Sequence, residues 1–264
     1  MNLSNIKMVV SDMDGTLLNS NHEVSSSFFE LFETMKNKGI RFVAASGRQY
    51  NSIIEKLSPI KEDIIVVAEN GGFVVQNDVE LLSTPLSQGV KNTVLDLLND
   101  FPEIHPVLCG KHEAYSSGQS ANFIERLKEY YSEFQVLDDL KSCDMEIVKI
   151  ALFHFESSEQ YIYPLVKHLE ENLKIKISGE NWVDISSPNA HKGFALEKLM
   201  KTYNLDSNEV MVFGDYNNDL EMMALSDYSF AMENAHPNVK KVANFTTLSN
   251  DSMGVETILS QLLR

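Results

Sequence analysis

The sequence predicts an α/β protein: a doubly wound parallel sheet interrupted by a long α+β insert. Two observations carry this expectation. Short apolar strands alternate with amphipathic helices near both ends of the 264-residue chain, which is the pattern of a parallel sheet with crossover helices. Between the two ends the texture changes to longer, alternating strands, which suits an antiparallel sheet.

The elements follow in order. Ile6–Val10 reads as a buried strand. Val24–Lys38 reads as a helix with Phe28, Leu31, Phe32 and Met35 on one face and Gly39 as its stop. Ile40–Ala45 is a second strand, Gln49–Leu57 a second helix and Ile64–Ala68 a third strand. The insert holds a strand within Glu146–Phe155 and helices at Lys91–Asn99, Ala121–Tyr131 and Glu159–Asn172. The first pattern then returns, with a helix at Lys192–Tyr203 and a strand at Glu209–Phe213. A helix at Leu220–Leu225, a strand at Tyr228–Ala231 and a helix at Val255–Leu263 complete it. Each flanking segment alone is too short for a complete doubly wound domain. One discontinuous core with an insertion therefore fits better than two sequential domains.

Charge narrows the function. The chain carries 22 Lys+Arg against 38 Asp+Glu, a net charge of −16. Such a surface repels nucleic-acid backbones and anionic membranes, yet a local cation can still hold a small phosphorylated substrate. The expected partner is accordingly a small metabolite, with no nucleic acid and no membrane. Cys109 and Cys143 lie far apart without metal-ligand spacing and are expected to be free, buried thiols. The N-terminus lacks a signal-peptide pattern and no apolar run is long enough to span a bilayer, so a cytoplasmic location is expected.

Four segments carry chemistry. Asp12-Met13-Asp14-Gly15-Thr16-Leu17 closes the first strand. Ligands of open α/β sheets bind outside the carboxyl ends of the strands, and two crowded carboxylates there favour a cation between them. One can serve as nucleophile or metal ligand and the other as proton donor. Asp and Gly are also ordinary turn residues. Gly214-Asp215-Tyr216-Asn217-Asn218-Asp219 follows a later strand, with Asp215 and Asp219 four apart and able to face one Mg2+. Asp219 alone could equally complement a helix dipole. Ala45-Ser46-Gly47-Arg48 offers a hydroxyl and backbone N–H groups for an anion, or a plain N-cap. Arg48 could contact substrate or pair with a neighbouring acid. Lys192 opens a helix, where a cation opposes the dipole unless an anion compensates it.

Together these supply a nucleophile, a metal pocket and donors for equatorial oxygens, which is what phosphoryl transfer demands. In this order and spacing they resemble the haloacid dehalogenase superfamily, and the insert resembles the C2 cap of its Cof-type (class IIB) hydrolases. The resemblance spans essentially the whole chain and is tightest in the core motifs. It implies a Rossmann-like core of residues 1–82 and 190–264 and an inserted α+β cap domain, residues 83–189, that sets substrate specificity. It implies a Mg2+-dependent phosphatase of small phosphorylated metabolites such as a sugar phosphate, flavin mononucleotide or pyridoxal phosphate. By this resemblance Asp12 is the nucleophile and Asp14 the acid and base. Ser46, Gly47, Arg48, Lys192 and Asn218 bind the phosphoryl group or substrate. Asp12, Asp14 through its backbone carbonyl, Asp215 and Asp219 form the metal site. A phosphomutase of the same superfamily and a non-catalytic metabolite binder are the alternatives. Burial and neighbouring carboxylates are expected to raise the pKa of Asp14.

The insert histidines His105, His112, His154 and His168 lack zinc-ligand spacing, and His112 in a turn is a guess for a leaving-group contact. Trp182 reads as core or hinge of the insert. No phosphate-binding G-x-x-x-x-G-K-[ST] run is present, which disfavours a nucleotide-dependent kinase.

Overall fold

The computed structural model describes residues 3–118, 120–131 and 133–264. The chain divides into one unit of residues 1–82 and 191–264 and a second of residues 83–190. Ala190 therefore lies with the second unit.

The first unit begins with β1 (Met8–Asp12), α1 (Ser26–Asn37), β2 (Arg41–Ala45), α2 (Tyr50–Lys56), β3 (Ile65–Ala68), β4 (Phe73–Gln76) and β5 (Val79–Ser83). The apolar face read from the sequence of α1 is in place, with Phe28, Phe32 and Met35 buried. Ser25 caps the helix by accepting from the Phe28 N–H at 3.1 Å. Its rings reach the neighbouring strand, with the Phe28 and Phe42 centroids 5.0 Å apart.

The second unit carries α3 (Gln88–Leu97), β6 (His105–Gly110), β7 (Ala114–Ser117), α4 (Ala121–Leu127), β8 (Phe134–Leu137) and β9 (Ile147–Phe153). It continues with α5 (Ser158–Tyr161), α6 (Tyr163–Val166), β10 (Lys174–Ile177) and β11 (Trp182–Ser186). The expected single helix over Glu159–Asn172 is broken here into α5, α6 and a 3-10 turn at Lys167–Glu171. Pro164 explains the break, because it lacks the N–H that would continue the ladder and restricts the residue before it. The six strands form one sheet in the order β10-β11-β9-β6-β7-β8. It is antiparallel except that β7 and β8 run parallel. Helix α4 joins that pair as a crossover, as a parallel connection requires. Cys109 and Cys143 are both buried and form no disulfide.

The chain then returns to the first unit through α7 (Lys192–Tyr203), β12 (Val210–Gly214), α8 (Leu220–Met223), β13 (Tyr228–Ala231), α9 (Pro237–Val242), β14 (Phe245–Thr246) and α10 (Gly254–Leu262). Its sheet runs β14-β13-β12-β1-β2-β3-β4-β5. The strands from β14 to β3 are parallel, and β4 turns back antiparallel to β3. That antiparallel edge is absent from the sequence expectation. β1 sits between β2 and β12, so the winding reverses there, and the crevice at its carboxyl end is where such folds place ligands. Among the described residues no helix is long and apolar enough to cross a membrane.

Candidate active site

Strand register assembles the site. Asp12 lies level with Ala45 on β2, so Ser46 emerges one residue beyond on the adjacent strand. On the other side Ser11 lies level with Phe213 on β12, which places Asp215 just past the neighbouring strand end. Three carboxylate oxygens, from Asp12, Asp215 and Asp219, lie within 4.8 Å of one another.

Lys192 enters this cluster from the first turn of α7. Its Nζ donates to Asp12 Oδ1 at 2.5 Å and to Asp219 Oδ1 at 2.7 Å. Its side chain is fully buried, so the ammonium is stabilised by the carboxylates instead of by water. Burial alone would lower the Lys192 pKa, but Asp12 and Asp219 outweigh it and hold the group charged. Asp12 shifts upward, first because it is buried and then because Asp219 and Asp215 repel its charge, with Lys192 opposing them. Asp215 is also raised, by burial and then by Asp219. Three carboxylates against one ammonium leave negative charge in excess. An all-oxygen donor set with that excess fits a hard divalent cation such as Mg2+.

Asp219 is held from two sides. Its Oδ2 accepts the backbone N–H groups of Asp215 at 2.9 Å and Tyr216 at 3.1 Å, while Oδ1 meets Lys192. It therefore orders the loop as well as balancing the lysine. Asp215 accepts a bond from the Thr16 hydroxyl at 3.4 Å. Gly15 has φ +78°, and a Cβ there would run into the Asp215 carboxylate. Only glycine suits both that backbone and that approach.

Asp14 departs from expectation. Its carboxyl faces Arg48, whose Nη2 donates to Oδ1 at 2.5 Å and whose Nε donates to Oδ2 at 2.7 Å. His22 Nδ1 lies 3.4 Å from Oδ1. Burial pushes Asp14 upward, but the two-pronged Arg48 contact and the nearby His22 outweigh it, so its pKa sits below the usual carboxylate value. The expected upward shift is therefore corrected. Of the two readings open for Arg48, the ion pair with a neighbouring acid is the one present.

Ser46 is buried, and its Oγ accepts from the Arg48 N–H at 3.1 Å. Asn70 ties the remaining pieces together. Its N–H donates to the Ser46 carbonyl at 2.9 Å, and its Oδ1 accepts from Asn218 Nδ2 at 3.0 Å. A Cβ on Gly47 would stand 3.0 Å from Asn70 Nδ2. Asn218 thus faces Asn70. Its left-handed backbone, φ 55°, is the kind Asn tolerates, and nothing in the sequence pattern singles it out. Asn234 also escaped notice, although its Nδ2 donates to the Gly15 carbonyl at 2.8 Å and pins the first loop. Of the insert residues, Trp182 lies in an aromatic core with Phe123 and Phe153. None of the histidines in question joins a convergent group of three or more ligands among the described residues.

A family profile described as haloacid dehalogenase-like hydrolase matches residues 9–259. The 5-amino-6-(5-phospho-D-ribitylamino)uracil phosphatase YbjI of Escherichia coli is 34% identical over 98% of this chain and 97% of its own length. The crystal structure of TM0651 from Thermotoga maritima superposes with a TM-score of 0.88 at 25% identity, covering 97% of both chains. The subclass IIB sugar phosphatase BT4131 shares the fold, with a TM-score of 0.79 at 19% identity over 97% of this chain and 98% of that one. The strand-end carboxylates, the buried lysine and a profile match over nearly the whole length agree: the chain belongs to the haloacid dehalogenase-like hydrolases.

Proposed function

We propose that this enzyme is a Mg2+-dependent phosphatase that hydrolyses small phosphorylated metabolites through an aspartyl-phosphate on Asp12. The observation that carries the reading is Asp12 itself: buried at the end of β1, held by Lys192 through one oxygen, and within ligand distance of two more carboxylates. Lys192 fixes Oδ1, which leaves Oδ2 as the attacking atom. Attack on phosphorus forms the Asp12–O–P bond and breaks the bond to the leaving alcohol. Asp14, once freed from Arg48 and protonated from solvent, gives that oxygen its proton, then takes one from the water that cleaves the aspartyl-phosphate. Inorganic phosphate leaves and both carboxyls return to their starting states.

Arg48 has to release Asp14 before the proton can pass, because both Asp14 oxygens are occupied in the structure. The incoming phosphoryl group is an anion and competes for the same guanidinium. Ser46 and the Gly47 backbone would bind its equatorial oxygens with Lys192, and Asn218 would reach its substrate side. A Mg2+ ion held by Asp12, the Asp14 carbonyl and Asp215, with Asp219 close by, would screen the repulsion between carboxylate and phosphoryl oxygens. The core of residues 1–82 and 191–264 is the catalytic domain in this reading, and the inserted residues 83–190 form the cap that selects the substrate. A phosphorylated ribityl or sugar compound, flavin mononucleotide and pyridoxal phosphate are the first candidates, the ribityl compound on the strength of the Escherichia coli relative.

The test is phosphate release from a panel of these compounds and p-nitrophenyl phosphate, with Mg2+ and with EDTA. Turnover is expected only with Mg2+, and Asp12→Asn is expected to lower kcat about a thousandfold or more. Undiminished turnover in Asp12→Asn would refute the nucleophile. Transfer to a second hydroxyl without phosphate release would replace hydrolase by mutase.

A further inference from the structure

Residues 69–72 join β3 to β4, which pair antiparallel with Ala68 level with Phe73. Hairpin loops of this length are ordinarily built around a type I turn, whose central residues keep negative φ. Here Glu69, Asn70 and Gly71 instead have φ 51°, 55° and 100° in succession. Glycine adopts such values freely and asparagine tolerates them, but for the buried Glu69 the left-handed region is strained. Strain of this kind persists only where neighbouring contacts hold it.

Those contacts run to three of the segments that build the site. The Glu69 N–H donates to the Arg48 carbonyl at 3.0 Å and the Asn70 N–H to the Ser46 carbonyl at 2.9 Å, so the turn grips both ends of the loop at residues 46–48. Gly47 lies between them, and a Cβ there would stand 3.0 Å from Asn70 Nδ2 and 3.3 Å from its Oδ1. Gly71 passes against the residue before Lys192, since a Cβ on it would stand 2.5 Å from the His191 carbonyl oxygen. The third contact is between side chains, where Asn218 Nδ2 donates to Asn70 Oδ1 at 3.0 Å. The neighbouring Asn217 is held from elsewhere, its Oδ1 accepting from Asn238 Nδ2 at 3.1 Å.

A carboxamide has two N–H donors and one carbonyl acceptor. Among the described residues the Asn218 side chain makes no hydrogen bond besides the one to Asn70, so a second N–H is left for a ligand. A freely turning amide has to be ordered when the ligand arrives, and one already held presents its donor without that cost.

We propose that Asn70 is a positioning residue of the phosphoryl pocket. Its carboxamide fixes the Asn218 amide so that the second N–H meets the anion, in register with the Ser46 and Gly47 donors that the same turn holds. That this anion is the transferring phosphoryl group rests on the phosphatase reading; the binding of an inorganic anion does not.

The full chain is titrated calorimetrically with inorganic orthophosphate in the presence of Mg2+, and p-nitrophenyl phosphate turnover is measured on the same variants. Asn70→Gly leaves the backbone free to stay left-handed and removes only the carboxamide. It is expected to weaken orthophosphate binding about tenfold and to raise KM by about the same factor, with a smaller fall in kcat because Asp12 and Lys192 are untouched. Asn218→Ala is expected to lose a similar factor. The double variant Asn70→Gly/Asn218→Ala should bind no more weakly than Asn218→Ala, because the Asn70 carboxamide acts through Asn218. A purely structural Asn70 would give the same loss in both backgrounds. Asn70→Ala separates strain from positioning: it should match Asn70→Gly in orthophosphate affinity yet melt at a lower temperature, because alanine resists the left-handed backbone.

Unchanged orthophosphate affinity in Asn70→Gly, or an equal loss with and without the Asn218 side chain, would overturn the proposal. A wild type that binds no orthophosphate would overturn it as well. A chain that binds orthophosphate with the expected coupling but hydrolyses nothing would refute the phosphatase reading alone.

Discussion

Two lysines are equally buried in this protein, and their partners differ. Lys192 in the core and Lys91 in the insert are each 1% exposed. Lys192 meets two carboxylates, Asp12 and Asp219. Lys91 meets two backbone carbonyls, that of Lys141 at 3.0 Å and that of Cys143. A carbonyl carries only a dipole, so Lys91 closes a turn and pins it to α3. A carboxylate carries a full charge, so Lys192 takes part in a cluster whose balance a substrate or metal can change. Burial of a cation thus identifies neither role, and the partner's charge separates them.

The comparison can be broken in four places. The largest effect is expected from Lys192→Met, which should lower kcat/KM for phosphate release about a thousandfold, or about 4 kcal/mol. A fall of less than tenfold, in protein that keeps its circular dichroism, would move Lys192 into the structural group with Lys91. The reverse pattern is expected for Lys91→Met. Urea unfolding should show a loss of about 2 kcal/mol from the two abandoned carbonyls, with turnover per folded molecule unchanged. Mg2+ sharpens the contrast further. At a hundredfold excess over its Kd it should stabilise the wild type by about 2.7 kcal/mol, and Asp215→Asn should lose most of that gain. Equal Mg2+ stabilisation in Asp215→Asn would remove that carboxylate from the metal site.

The smallest effect lies in the insert. His105 is half-buried and stacked on Phe123 with centroids 4.6 Å apart, and burial, followed by the nearby His154, lowers its pKa from 6.5. The unfolded chain then binds more protons than the folded one between the lowered value and 6.5. Stability from this group is accordingly full above pH 6.5 and is lost as pH falls through the folded value. His105→Phe should flatten the acid side of a melting-temperature profile slightly, and an unchanged slope would show that His105 titrates alike in both states.

Much of this contrast was legible in the residues and part was not. Asp12, Ser46, Lys192 and Asp215 stand at strand ends or helix starts, where chain order alone predicts convergence, and the parallel register carries them there. An acid partner for Arg48 was open from the sequence but Asp14 was not identified as that partner, because an arginine's reach is set by rotamers and local charge and not by spacing. Asn70 was equally hidden, since its work depends on a left-handed backbone that one sequence position does not announce. Pro164 did announce the broken helix, but the apolar periodicity around it outweighed the signal.

The place of β1 has a consequence for how the chain is made. β1 is translated before the other strands of its sheet, yet its neighbour β12 begins at Val210. Until then one edge of the central strand has no β12 to pair with, while the ribosome completes an entire insert. Such an apolar edge is a template for mispairing, and the pairing that closes it is among the most distant in the sequence. The insert can bury its own apolar surface early, so the half-made enzyme would be a folded domain carried on an open sheet. Folding yield should therefore depend on how quickly the C-terminal quarter arrives, a limit separate from the stability of the finished protein.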